Sequence, residues 1–345
     1  MCIVFYTLNQ PGYHFILASN RDEYLDRPTL PARWHRFAPL SSSPDAQDEP
    51  PRPDDWVLSG RDHGSPNGGT WLGVTRDLRV AVLTNIRIPP VPVPAHAPSR
   101  GLLLKEFLAR PPSANRPPVH DYLARYQPQV DQYEGFNLLV FQLHPSVKND
   151  SLSPEGHTHG RISWGKPEVG YLSNRPGPTL MELHSPSRMS TPLPEADGLS
   201  RKPPVECHGM SNTPLAQPWP KVSQGEEFMA ETLAQWTEGN ETQDQLVERL
   251  MEMLQRTRPC ESLADLSRCT CLHPVYLGKD PEHKIKEGEQ GRWYGTRVTT
   301  VILVRDDGEV TFVERDIFVQ NERGEAVRGS DERRFAFQAQ AQTSL

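Results

Sequence analysis

The feature that most constrains this chain is a strand that begins directly after its second residue. Cys2 follows Met1, and Ile3-Val4-Phe5-Tyr6-Thr7-Leu8 is apolar enough to form a buried strand. Pro11-Gly12 supplies a turn, and His14-Phe15-Ile16-Leu17-Ala18-Ser19 reads as the returning arm. Such a hairpin delivers Asn20-Arg21-Asp22-Glu23 to the strand end at which Cys2 starts. A thiol and a charged cluster are brought together by local geometry alone.

That geometry carries a specific chemistry. Removal of Met1 would leave Cys2 with both a free α-amine and a thiol. An α-amine has an unperturbed pKa of roughly 7.7–8.0, so a useful neutral fraction can take the thiol proton. The thiol itself titrates near about 8.5, and a neighbouring Arg21 favours its thiolate. Asp22 is expected to hold or orient the α-ammonium. The plainer reading makes Cys2 a small buried hydrophobe and the charged run a solvated turn.

Composition narrows the class. The chain has 345 residues, enough for one large domain or two ordinary ones. Only 36% of residues are hydrophobic and 35 are proline, which fits Pro-rich insertions on a compact domain. A net charge of −7 and no basic stripe argue against nucleic acid as a partner. No apolar run approaches the ~18 residues that cross a bilayer, and Asn9-Gln10-Pro11 ends the first apolar run too early for a signal peptide. The five cysteines form no regular framework, so reduced thiols in the cytosol are expected. Cys260, Cys269, Cys271 and His273 do not have a usual zinc spacing, and no metal is expected.

Along the chain, Trp56 to Asp62 reads as a short edge strand inside a polar stretch. Residues 68–74 and 79–84 read as a second hairpin turning at Arg76-Asp77-Leu78 and ending at Asn85-Ile86-Arg87. Helices are expected at Leu102 to Ala109 and Val119 to Tyr126, then strands at Phe136 to Phe141 and Val169 to Arg175. Two further helices are expected, roughly Gly225 to Thr237 and Thr242 to Thr257. In the second, Leu246, Leu250, Met253 and Leu254 form one apolar stripe. A terminal hairpin turns around Asp306-Asp307-Gly308. This order of hairpins with interposed helical pairs suits an α+β fold rather than βαβ repeats.

The Met1-Cys2 start, Asn20-Arg21-Asp22-Glu23, Gly68-Gly69-Thr70-Trp71-Leu72-Gly73, Thr84-Asn85-Ile86-Arg87 and Tyr294-Gly295-Thr296-Arg297 together resemble the transport and Golgi organisation 2 homologue family. The resemblance implies a four-layer αββα sandwich of N-terminal-nucleophile-hydrolase type, with two antiparallel sheets face to face and helices outside. One domain is expected over residues 1–330, with loop insertions at about 38–69, 88–98, 145–160 and 184–206. Residues 331–345 are expected to be a flexible tail.

By similarity to thiol amidohydrolases of that fold, Cys2 is the candidate nucleophile, with Arg21 and Asp22 as electrostatic partners. Asn85 and Asn174 become oxyanion or substrate-orienting amides, and Arg297 a second cation near the cleft. One departure stands out. Cholylglycine-type amidases separate the Arg and Asp by two residues, whereas Arg21 and Asp22 are adjacent. Neighbours on an extended chain point to opposite sides, so both face Cys2 only if the segment turns.

The family's associations with Golgi organisation, secretion, haem mobilisation and lipid handling imply a cytosolic carrier as the first expectation. It would bind haem or an acylated lipid as cargo and touch Golgi or mitochondrial membranes peripherally. The alternative is a Cys2-dependent amidohydrolase or thioesterase that needs no cofactor. A third expectation is an interaction protein docking through its Pro-rich loops.

Overall fold

In the computed structural model the described residues are 2–37, 55–64, 68–86, 97–109, 116–148, 161–183, 205–256, 263–277 and 291–341. The first half runs β1 (Ile3–Gln10), β2 (Tyr13–Tyr24), β3 (Thr29–His35), β4 (Val57–Asp62), β5 (Leu72–Thr75), β6 (Arg79–Asn85), α1 (Gly101–Leu108), α2 (Val119–Tyr126) and β7 (Phe136–Gln142). Next come β8 (Pro145–Lys148), β9 (Arg161–Trp164), β10 (Glu168–Ser173), β11 (Thr179–Glu182) and β12 (His208–Met210). The remainder is α3 (Pro220–Gly239), α4 (Gln243–Gln255), β13 (Val275–Leu277), β14 (Arg292–Arg305), β15 (Glu309–Asp316), β16 (Phe318–Gln320), β17 (Ala326–Arg328) and β18 (Glu332–Gln338).

Two antiparallel sheets result. The first is ordered β12-β1-β2-β14-β15-β18, with β13 joining β14, and the second is β11-β10-β7-β6-β5-β4-β3. Alternation along the strands decides what each face covers. Val4, Tyr6, Phe15 and Leu17 of the first sheet pack with Leu58, Val74, Val82 and Phe141 of the second, forming the central core. The intervening residues Ile3, Phe5, Ile16 and Ala18 pack instead with Val222, Met229, Leu250 and Leu254 from α3 and α4. On the outer face of the second sheet, Ala81, Leu83 and Val140 meet Leu104 and Phe107 of α1 and Leu123 of α2. The layer order is αββα, as the family resemblance implies.

All four expected helices are present, and α3 begins at Pro220, more than a turn before the expected Gly225. The apolar stripe of α4 is buried as packing, and Thr242 caps the helix in a reciprocal box with Gln245. The expected loop insertions fall outside the described residues at 38–54, 65–67, 88–96, 149–160 and 184–204.

Three expectations about the chain are corrected. Residues 57–62 are not an edge strand, because β3, which the sequence reading missed, pairs alongside and β5 lies on the other side. Residues 145–148 form β8 paired with β9 rather than loop. The segment after 331 is not a free tail through residue 338, since β18 pairs with β15 from Glu309↔Gln338 to Arg315↔Glu332. Its Phe335 and Phe337 alternate inward onto the central core while Arg333 ion-pairs with Glu314 and Asp316. A period of two hidden among arginines and glutamines carried that strand.

The helix layer lies close on β1. A Cβ at Gly225 of α3 would come within 2.0 Å of the Phe5 ring, so only glycine admits this contact. Gly225→Ala is expected to destabilise the fold by about 1–3 kcal/mol through overpacking, read as a lower midpoint in urea. An unchanged midpoint would mean that α3 does not press on β1 as described.

Candidate functional site

The β1–β2 register sets Ile3 opposite Asn20, which leaves Cys2 beside Arg21 at the open end of the hairpin. Two hydroxyls pin this end. Ser211 Oγ donates to the Cys2 carbonyl at 2.9 Å, and Ser19 Oγ donates to the Ile3 carbonyl at 2.9 Å. Cys2 thus starts from a fixed backbone rather than a frayed one.

The alternation of β2 decides how Arg21 and Asp22 can both serve Cys2. The segment does not turn, because β2 continues through Tyr24. Odd positions Phe15 and Leu17 face the central core, and even positions Ile16 and Ala18 face the helices. Arg21 accordingly stacks its guanidinium 4.0 Å from the centre of the Trp71 ring, supplied by the second sheet. Asp22 accepts from Thr296 Oγ1 at 2.5 Å on the other side of the strand. It still touches the thiol, through its backbone N–H, which hydrogen-bonds the Cys2 sulfur. Cys2 is served by Arg21 from one face and by Asp22 from the backbone and the other face.

A cleft of about 100 Å³ opens over these groups. Its walls include Cys2, Arg21, Glu23, Trp71, Asn85 and Arg100, with Arg27 and Asp62 among the residues beside them. Arg21 lies 3.6 Å from Glu23, while Arg27 holds Asp62 through two hydrogen bonds of 3.1 and 2.7 Å. Trp71 reaches its place over Gly60, where a Cβ would sit 2.6 Å from the ring. Ser99, Arg100 and Gly101 bring the amino end of α1 to the cleft, an arrangement that favours negative charge there.

The electrostatics pull in opposite directions. Burial is the largest influence on the Cys2 thiol and raises it, as does Asp22, whereas the amino-terminal charge, then Arg21 and the Asp22 N–H, lower it. Burial also lowers the Arg100 guanidinium, against the pull of Glu134, Glu23 and Cys2. Among the described residues the other two free thiols are pushed up by burial more plainly, Cys207 to about 12 and Cys271 to about 11. The expectation that all five thiols are reduced is corrected at Cys269, which is disulfide-bonded.

The remaining expected site residues divide. Asn85 lines the cleft at the end of β6, and its backbone carbonyl accepts from Asn212 Nδ2 at 2.6 Å. Asn174 is elsewhere and fully engaged. Its Nδ2 donates to the carbonyls of Val130, Tyr133 and Glu134, and its Oδ1 accepts the Phe136 N–H at 2.9 Å. That network secures the approach to β7, which is the turn-forming role open to any strand-end asparagine. Arg297 is the extra residue where the β2–β14 register shifts between Thr296 and Val298. It donates to the carbonyls of Tyr24 and Arg27, and burial lowers its guanidinium to about 10, so it braces the chain beside the cleft rather than lining it. Asn20 is likewise structural, tying the Leu254 and Thr270 carbonyls at 3.1 and 2.9 Å.

Sequence reasoning missed Arg100, Ser211 and Asn212. The pairing of β12 with β1 sets Gly209 and Met210 opposite Phe5 and Val4 and so brings Ser211 and Asn212 to the Cys2 end. Asn137 Nδ2 and the Thr84 hydroxyl both hold the Ser211 carbonyl, so this loop joins Cys2 to the ends of β6 and β7.

The arrangement yields a prediction. Alkylation of Cys2 by iodoacetamide, followed by peptide mass mapping, should rise through a midpoint above the ordinary thiol value of about 8.5. Arg21→Met should move it higher still, because a lost cation disfavours thiolate. A lower midpoint in the variant would contradict the assignment of Arg21.

Comparison with known proteins places these observations in context. The family model described as Transport and Golgi organisation 2 matches residues 1–318. The Transport and Golgi organization protein 2 homolog of Bos taurus is 28% identical over 327 residues, covering 92% of this chain and 93% of the relative. The homolog of Homo sapiens is 27% identical over 329 residues, with the same coverage. Among solved structures, the C2A mutant of conjugated bile acid hydrolase from Clostridium perfringens aligns with a TM-score of 0.40 and 8% identity, covering 100% of this chain and 99% of that one.

Proposed function

Since the chain belongs to the Transport and Golgi organisation 2 family, we propose that this member acts through Cys2 as a thiol hydrolase of small, anionic amides or thioesters. The observation that carries the reading is the placement of a cleft-lining thiol against Arg21, with the Asn85 side of β6 and the amino end of α1 across from it. Removal of Met1 would free the α-amine as the base. The thiolate would attack the carbonyl carbon, forming a C–S bond and a tetrahedral oxyanion. Asn85 and the end of α1 are the groups available to donate to that oxyanion. Collapse would break the C–N or C–S bond, with the proton returned to the leaving group, and water would then release the acid from the Cys2 thioester.

Arg21 and Arg27 are matched by Glu23 and Asp62 of the cleft itself, whereas Arg100 pairs with Glu134 outside its lining and is the cation that favours a substrate carrying a carboxylate or phosphate. A haem or lipid carrier, favoured from the sequence, requires more room. Drug-sized ligands occupy sites of roughly 300 Å³ or more, against about 100 Å³ over Cys2. The carrier reading is therefore not adopted for this cleft. Among the described residues no helix is long and apolar enough to cross a membrane.

The test is turnover of short dicarboxylic monoamides and monothioesters by the protein lacking Met1. Cys2→Ala should lose turnover by at least about a hundredfold while melting as the parent does, and Arg21→Met should raise KM. Undiminished turnover in Cys2→Ala would eliminate the reading.

A further inference from the structure

The cleft over Cys2 has an aromatic wall, Trp71, to which the mechanism above assigns no part. Trp71 directly precedes β5, and its carbonyl accepts the Leu83 N–H of the neighbouring strand at 2.9 Å. The ring is fixed as firmly as the backbone. Along β4, Leu58 faces the central core, so Gly60, two residues on, presents the same face to the space between the sheets. A Cβ there would come within 2.6 Å of Cη2 and Cζ2 of Trp71, so the ring takes the room that a side chain of residue 60 would fill. From the other sheet, the Arg21 guanidinium covers the ring 4.0 Å from its centre. Trp71 is half-buried and packs against the central core. The ring therefore stands between the polar cleft and the apolar interior.

Size then decides what reaches the thiol. A cavity of about 150 Å³ accommodates a benzene ring, whereas the cleft offers about 100 Å³. On that scale it has room for an acyl group of about four or five heavy atoms. A longer aliphatic chain needs an apolar region to enter. The space between the sheets is such a region, and Trp71 fills its mouth.

We propose that Trp71 is the specificity-determining residue of this site, limiting the acyl group delivered to Cys2 to chains of about four carbons. The substrate class is a short-chain acyl amide or thioester, its chain against Trp71 and its anionic group on the Arg100 side of the cleft. Long-chain fatty-acyl compounds are excluded by the ring. This role rests on the proposed function in taking Cys2 as the group that the substrate reaches, and it narrows the acyl group of that reading. Loss of the ring also releases Arg21, which changes the thiolate fraction of Cys2. A ratio of two reactions at the same thiol cancels that change, so it isolates the size of the opening.

The experiment compares Trp71→Leu with the parent by two such ratios. The first is Cys2 alkylation by N-benzyl-iodoacetamide relative to iodoacetamide, read by peptide mass mapping, each rate divided by that with free cysteine. Both reagents are neutral, and size separates them. The second is kcat/KM of the Met1-free protein for the octanoyl thioester of mercaptoacetate relative to the butyryl thioester. Each ratio should rise at least about tenfold in the variant, the discrimination expected when a wall no longer rejects an added methylene. Ratios that stay at the parent value in a folded variant overturn the assignment. Should Trp71→Leu fail to fold, Trp71→Phe carries the same direction, and the same constancy overturns it. The role of Trp71 and the hydrolase reading fail separately. An unchanged alkylation ratio beside Cys2-dependent turnover removes only Trp71, and a raised alkylation ratio with neither thioester turned over removes only the reaction.

Discussion

Burial of the polar run Asn20-Arg21-Asp22 at the end of a central strand is the constraint on which the rest of this structure depends. Such groups cannot leave water without partners, and their partners come from both sheets and from α4. Asn20 ties the last turn of α4, whose Leu254 carbonyl lacks a donor within the helix, and accepts from Thr299 Oγ1 at 2.5 Å. Arg21 takes its aromatic face from Trp71 of the opposite sheet. Asp22 takes Thr296 from β14. Each partner lies far away in sequence, so the strand end is assembled only when both sheets and the helix layer are in place.

That dependence couples fold to chemistry. The thiol of Cys2 inherits its surroundings from groups whose first duty is to satisfy one another. An extended strand sends adjacent side chains to opposite faces, and here the alternation is used rather than avoided. Arg21 meets the cleft, while Asp22 serves the helix side and offers its backbone N–H to the sulfur.

Much of this was legible in the sequence where local rules act. The opening hairpin, the second hairpin at Asp77, the helix pairs and the stripe of α4 follow from period and turn chemistry. The cleft-lining residues legible in the same way were Cys2, Arg21, Asp22 and Asn85, each at a strand end. What was not legible depended on partners. Asn174 looks identical to Asn85 in sequence, yet its amide is spent on three carbonyls around residues 130–134. Arg297 reads as a strand-start cation but is a bulge residue bracing Tyr24 and Arg27. Strand β18 was masked by the arginines that flank Phe335 and Phe337.

The central claim is that Cys2 forms a covalent acyl intermediate in this cleft, and trapping it is the most direct measurement. The Met1-free protein would be mixed with a short carboxylate-bearing thioester, quenched in acid within seconds, and its peptides mapped by mass. The account predicts one acyl mass on the peptide that begins at Cys2, absent from Cys2→Ala and lost when the quench is delayed beyond turnover. Rapid product formation with no acylated Cys2 peptide, or an acyl group found only on Cys207 or Cys271, would contradict it.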